Sequence, residues 1–157
     1  MNQTTTQAEQ LILYLQQHHW QIRCVESCTA GALTAAIGAI AGVSSVLDRS
    51  WITYSNQAKH EEVGVSLETL ETYGAVSEEV VLSMAEGAVR DCEEHTLSLA
   101  VSGIAGPDGG SKDKPVGTVW IACKVPAQAA YAQCFHFKGR RAEIQSQAVT
   151  QALTMPL

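Results

Sequence analysis

Apolar side chains recur at helical spacing near both ends of the chain. Near the start they lie at i, i+3, i+4 and i+7, which predicts a helix over residues 6–18; they are Ala8, Leu11, Ile12 and Leu15. A second stripe predicts a last helix after residues 138–141; its members are Ile144, Ala148, Val149, Ala152 and Leu153. We expect both stripes to pack against one core.

Five runs between these helices are rich in apolar, aromatic or β-branched residues, which is typical of strands. They cover residues 21–25, 50–54, 97–102, 117–125 and 130–137. A turn that includes Pro126 separates the last two runs. Because that connection is short, we expect an antiparallel hairpin there.

Three further segments predict helices. Residues 32–40 are apolar on most faces, as expected for a buried helix. Residues 63–73 predict a short helix bounded by glycines, and Ser77 with the two glutamates after it predicts the start of a helix that reaches about residue 91. We predict a single α/β domain over residues 1–157, a layered sandwich in which helices flank a mixed sheet.

Composition limits the partners and the compartment. The chain has 157 residues and 46% hydrophobic content, as expected for one domain, and its net charge of −6 argues against a nucleic acid or an anionic membrane as partner. No apolar stretch approaches the ~20 residues that cross a bilayer. The five cysteines do not have metal-ligand spacing, which favours free thiols. The first residues do not form a charged segment followed by an apolar core, so we expect the protein in a reducing cytoplasm.

The first predicted strand runs into a short turn that holds Ser27. The backbone N–H groups at the start of the following helix, roughly residues 29–32, are expected to lack partners within the helix and to attract negative charge. A hydroxyl beside them can be a nucleophile, a phosphate ligand or only a helix cap, and the turn by itself leaves all three open.

Tyr54 and Lys59 follow the second predicted strand. In parallel α/β sheets, ligands bind beyond the carboxyl ends of the strands, so Tyr54, Lys59 and Ser27 could meet there. The alternative for Lys59 is an ordinary solvated lysine.

A glycine-rich loop, residues 103–110, follows the third predicted strand and matches neither the P-loop nor the GxGxxG pattern. It is either a place where backbone approaches a ligand or a flexible connection.

Arg140 and Arg141 begin the last helix, where positive charge opposes the helix dipole, so they are either anion ligands or surface arginines. The adjacent His18 and His19 point too far apart for a metal site, and no cofactor is expected.

Five ordered blocks together resemble one known family, the CinA C-terminal domain family of nicotinamide-nucleotide amidases. The blocks cover nearly the whole chain: ESCTAG at 26–31, YSNQAK at 54–59, GAVS at 74–77, SGIAGPDGG at 102–110 and KPVGTV at 114–119. The resemblance implies a cytoplasmic, usually oligomeric α/β domain that hydrolyses the carboxamide of nicotinamide mononucleotide, without a cofactor.

The resemblance also implies roles for particular residues. Ser27 matches the family's nucleophile, and Tyr54 and Lys59 match the pair that activates it. It further implies a substrate-binding set in which Arg141 meets the substrate phosphate; the other members are Thr29, Ala30, Gly31, Ser44, Ser102 and Gly103.

The chain departs from the family pattern at three positions. Ala30 replaces a glycine, Arg140 replaces an acidic residue, and Gln145 replaces a frequent arginine. Two alternatives therefore remain: a catalytically weak or silent paralogue that binds a nucleotide in the same pocket, and an amidase for another small amide.

Overall fold

Six helices enclose a five-stranded sheet in the computed structural model, which describes residues 2–157. The strands are β1 (Gln21–Glu26), β2 (Leu47–Ile52), β3 (Thr96–Gly103), β4 (Thr118–Lys124) and β5 (Tyr131–His136). The helices are α1 (Gln3–His18), α2 (Ala32–Gly38), α3 (Asn56–Val63), α4 (Leu67–Tyr73), α5 (Glu78–Ala88) and α6 (Arg141–Thr154).

The sheet is mixed and has the order β2-β1-β3-β4-β5. Strand β1 pairs in parallel with both β2 and β3, whereas β3–β4 and β4–β5 are antiparallel. The predicted mixed sheet, its flanking helices and the β4–β5 hairpin are therefore confirmed. Because β1 and β2 are parallel neighbours, the segments that follow them emerge side by side at one edge of the sheet.

Two hydrophobic layers cover the two faces of this sheet. On one face, the predicted stripes of α1 and α6 and two residues of α2 pack against alternate strand residues such as Cys24, Leu99 and Ile121. On the other face, α3, α4 and α5 cover the intervening residues, among them Val25, Ala100 and Ala122. Neighbouring strand residues face opposite layers because side chains alternate along a strand, so both faces of the central strands are buried.

Three predicted helices differ from the structure. Residues 63–73 are not one helix, since Val63 ends α3, Gly64 turns the chain with φ +74°, and the capping hydroxyl of Ser66 starts α4. The predicted burial of residues 32–40 is wrong, because α2 buries only Leu33 and Ile37 and exposes Ala32 and Ala35. Helix α5 ends at Ala88, three residues before the predicted end.

No helix among residues 2–157 combines the length and the apolar composition that crossing a bilayer requires. Within the same part of the chain, no group of three or more His, Cys, Asp or Glu side chains could hold a metal ion.

Candidate active site

Ser27 and Lys59 meet at the carboxyl ends of β1 and β2. Ser27 is the first residue after β1, and its N–H donates to the carbonyl of Val101 on β3 at 3.0 Å. This bond continues the hydrogen bonding between β1 and β3 by one residue. The Lys59 Nζ lies 3.0 Å from the Ser27 Oγ. The structure therefore brings together two residues 32 positions apart in the sequence.

Helix α3 carries Lys59 inward. The Ser55 hydroxyl caps this helix by accepting from the N–H of Ala58 at 3.0 Å, and Lys59 follows one turn after the cap. Only 1% of the Lys59 surface is exposed, so the alternative of a solvated lysine is wrong. Burial lowers the Lys59 pKa from 10.5 to about 8, because desolvation disfavours the ammonium form.

The Lys59 amine has three acceptors within hydrogen-bond distance. Besides Ser27, the amine donates to the carbonyls of Thr53 at 2.8 Å and Tyr54 at 3.2 Å. These three acceptors match the three N–H donors of the ammonium form, and the Ser27 hydroxyl itself donates to the carbonyl of Tyr54 at 3.5 Å. Loss of one amine proton would free a lone pair 3.0 Å from the Ser27 Oγ, which is a suitable distance between a base and its nucleophile.

Ser27 is not the cap of α2. Gly31 occupies the N-cap position, with φ +98°, and its cap has no side-chain hydrogen bond. The neighbouring Cys28 does not compete as a nucleophile, because burial raises the pKa of its thiol to about 11.

The backbone donors beside Ser27 differ from the predicted set. Gly31, Leu33 and Thr34 each donate their N–H to the buried carboxylate of Glu26, and Ala30 and Ala32 donate to carbonyls within the turn. Among residues 2–157, the N–H groups of Cys28 and Thr29 find no acceptor on another residue. These two donors, rather than those of the helix, remain beside the nucleophile for an oxyanion.

Tyr54 takes part in the site through its backbone. Its carbonyl contacts Lys59 and lies 3.5 Å from the Ser27 Oγ, whereas its exposed ring carries a hydroxyl that accepts from Arg141 Nη2 at 2.9 Å. The phenol thus forms its hydrogen bond with Arg141 instead of with Lys59 or Ser27. Its predicted role in activating Ser27 stays a prediction.

Arg141 is tied to the same edge of the sheet from the start of α6. One Nη donates to Tyr54 and the other donates to the carbonyl of Gly106 at 2.8 Å, while the guanidinium keeps further donors. Gln145, one turn later, donates to the carbonyl of Cys28 at 2.9 Å and so supports the turn that follows Ser27. Arg140 is the exposed N-cap residue of α6, and its N–H donates to Glu143.

Other predicted site residues have contacts of their own within the protein. The Thr29 hydroxyl donates to Glu26, and the Ser102 hydroxyl donates to the carbonyl of Ala75. A side chain at Gly103 would come within 2.6 Å of Val119, so strand packing requires this glycine, and its predicted role in substrate binding stays a prediction. Ala30 is exposed and has φ +50°, a conformation that favours glycine.

Ser44 does not join Ser27 in this chain. It lies in the short 3-10 helix Val43–Ser45, and the next residue, Val46, accepts from the N–H of Ile22 at the amino end of β1. Ile22 and Ser27 are five residue steps apart along extended chain, which is roughly 16 Å. The resemblance-based placement of Ser44 in the site is therefore wrong for a single chain.

Glu26 is the site residue that sequence reasoning missed. Its carboxylate is fully buried and accepts from the turn and from α2. The available signal was an acidic residue just before the amino end of a helix, with a threonine three positions later.

Comparisons with known proteins identify the family of this chain. The family model "CinA C-terminal domain" matches residues 4–156. A relative from Syntrophobacter fumaroxidans, named "CinA-like protein", is 47% identical over 90% of this chain, which spans only 33% of that relative's length. A relative from Enterobacter agglomerans, named "Nicotinamide-nucleotide amidohydrolase PncC", is 47% identical over 88% of this chain and 84% of its own.

A solved structure is similar over nearly its full length. The crystal structure of the competence/damage inducible protein CihA from Agrobacterium tumefaciens has a TM-score of 0.94 and 38% identity, and the alignment covers 99% of this chain and 94% of that one. The sequence match and the shared fold extend over the whole region that holds Ser27 and Lys59. The chain belongs to the CinA C-terminal domain family.

Proposed function

We propose that this protein is an amidohydrolase that converts nicotinamide mononucleotide and water to nicotinate mononucleotide and ammonia. One observation carries the proposal, the buried Lys59 amine whose third partner is the Ser27 hydroxyl. The name of the PncC relative supports a nicotinamide nucleotide as the substrate. The intact contact between Ser27 and Lys59 favours an active enzyme over a silent paralogue.

The first half of the reaction would use Ser27, Lys59 and two backbone donors. Neutral Lys59 removes the Ser27 proton as the Oγ attacks the amide carbonyl carbon, and the oxyanion is stabilised by the N–H groups of Cys28 and Thr29. The Lys59 ammonium then gives its proton to the leaving nitrogen. The C–N bond breaks, ammonia leaves, and an ester to Ser27 remains.

The second half reverses these roles with water as the nucleophile. Lys59, neutral again, removes a proton from water, the hydroxide attacks the ester, and the same two N–H groups hold the oxyanion. The C–O bond to Ser27 breaks and Lys59 returns the proton to Oγ. The carboxylic acid product loses its proton to solvent.

Arg141 is the proposed partner of the substrate phosphate. Its guanidinium is exposed and is oriented by Tyr54 and Gly106 at the same edge of the sheet as Ser27. Gln145 is neutral and donates to the carbonyl of Cys28, so it is not assigned to the phosphate. We also propose that the protein binds its substrate as a homo-oligomer. Light scattering of the purified protein tests the oligomeric state.

Ammonia release from a panel of amides tests the proposed function. We expect turnover of nicotinamide mononucleotide, less of nicotinamide riboside, and little of nicotinamide, asparagine or glutamine. Ser27→Ala should abolish turnover and keep nucleotide binding, measured by calorimetry. Turnover of another amide alone would reassign the substrate, and nucleotide binding without ammonia release from the unmodified protein would instead support a silent binding protein.

A further inference from the structure

Glu26 places a fully buried carboxylate one residue before the nucleophile. Its Oε1 accepts from the Thr29 hydroxyl at 2.7 Å and from the N–H groups of Gly31 at 3.1 Å and Leu33 at 2.9 Å. Its Oε2 accepts from the N–H of Thr34 at 2.9 Å and from the Thr34 hydroxyl at 2.5 Å. Five donors for about four lone-pair sites leave no capacity for another partner.

These bonds connect both ends of the turn that carries Ser27. Glu26 precedes the turn, and its carboxylate reaches past Ser27 and Cys28 to residues after them. The turn is closed further by the Ala30 N–H, which donates to the Ser27 carbonyl at 3.0 Å. The peptide units that bear the N–H groups of Cys28 and Thr29 therefore lie between fixed points on both sides.

The same bonds occupy the amino end of α2. A helix amino end attracts anions through its free N–H groups and its dipole. Here an internal carboxylate already satisfies those donors, so the end of α2 is closed to a phosphate from the substrate. Within residues 27–34, the backbone donors that stay free are the N–H groups of Cys28 and Thr29.

We propose that Glu26 is a positioning residue that orients the Cys28 and Thr29 N–H groups towards the oxyanion. This inference rests on the proposed amidohydrolase function. A residue of this kind acts on the transition state more than on the bound substrate, so its loss lowers kcat and leaves KM nearly unchanged.

Glu26→Gln tests the role with a side chain of almost the same shape. The amide group replaces one acceptor oxygen by a donor that faces other donors, which loosens the turn. We expect kcat to fall about 10- to 100-fold with KM within about threefold, because small misplacements of oxyanion donors cost that much. Thr29→Val, which removes only the hydroxyl donor on the turn, should give a smaller fall in kcat.

Asp48→Asn is the matched control. Asp48 on β2 binds Arg23 at 2.7 Å near the other end of β1, and its side chain is 21% exposed. Removing its charge also costs stability but leaves the turn after Ser27 intact, so kcat should stay within about twofold. If Glu26→Gln loses stability as Asp48→Asn does and keeps kcat, Glu26 is only structural and the inference is overturned.

Phosphonylation of Ser27 by a fluorophosphonate separates this inference from the proposed function. The reagent also passes through a transition state with a negatively charged oxygen, so its rate should fall in Glu26→Gln and stay unchanged in Asp48→Asn. The labelling comparison remains decisive even if the unmodified protein releases no ammonia from any amide. Equal labelling rates in all three proteins would overturn the role of Glu26. If Glu26→Gln does not fold, Thr29→Val takes its place in the same comparison.

Discussion

The pH dependence of hydrolysis tests whether Lys59 is the base. Because burial lowers its pKa to about 8, about one-tenth of the Lys59 amines are neutral at pH 7. A lysine with the ordinary pKa of 10.5 would be neutral in only about three molecules of ten thousand. The buried environment thus makes the neutral base about 300-fold more abundant at neutral pH.

We expect kcat/KM for ammonia release to rise about tenfold per pH unit between pH 6 and 7.5 and to level off above pH 8. The assay measures ammonia from the preferred amide at low substrate concentration, with circular dichroism at each pH to show that the fold is retained. Lys59→Met should lose activity at every pH. Lys114→Met, which removes a lysine bonded to the carbonyl of Tyr73, should keep the profile unchanged. A rate that still rises tenfold per unit at pH 9.5, or one independent of pH from 6 to 9, would refute the assignment.

Three further predictions concern stability and substrate binding. Between pH 8 and 10.5 the unfolded chain holds the Lys59 proton that the folded chain has released. The free energy of unfolding, measured with urea and compared with that of Lys59→Met, should therefore rise by about 3 kcal/mol over this range. If the difference between the two proteins does not change with pH, the pKa of Lys59 is not lowered. Ala30→Gly should raise the free energy of unfolding by about 1 kcal/mol, because φ is +50° there, and an unchanged or lower value contradicts the strain argument. Arg141→Ala should raise KM for the nucleotide about 10- to 100-fold and leave KM for the nucleoside unchanged. The control Lys138→Ala should change neither KM. An equal rise in KM for both substrates would exclude a contact between Arg141 and the phosphate.

The main architecture was predictable because hydrophobic periodicity determines which faces are buried. The stripes of α1 and α6 lie in the core as predicted, and the strands differ from their predicted bounds by up to three residues. Helix α3 was missed because residues 56–62 carry no apolar stripe. A serine cap and a buried lysine stabilise its position instead, and a lysine gives no hydrophobic signal.

The site was predictable in its residues more than in its geometry. Adjacent parallel strands explain why Ser27 and Lys59 meet, once β1 and β2 are known to be neighbours. The donors of α2 appeared free because a helix taken alone has unpaired N–H groups, whereas the buried carboxylate of Glu26 pairs with them. That pairing depends on the rotamer of one side chain, which periodicity does not indicate.

The direct test of the account is to trap the covalent intermediate. Hydrolysis of the preferred amide is quenched in acid within milliseconds, and the protein is digested and sequenced by mass spectrometry. We expect a nicotinoyl nucleotide ester on Ser27, present in the unmodified protein and absent in Lys59→Met. Turnover with no adduct, or an adduct on the neighbouring Cys28, would contradict a serine nucleophile activated by a buried lysine.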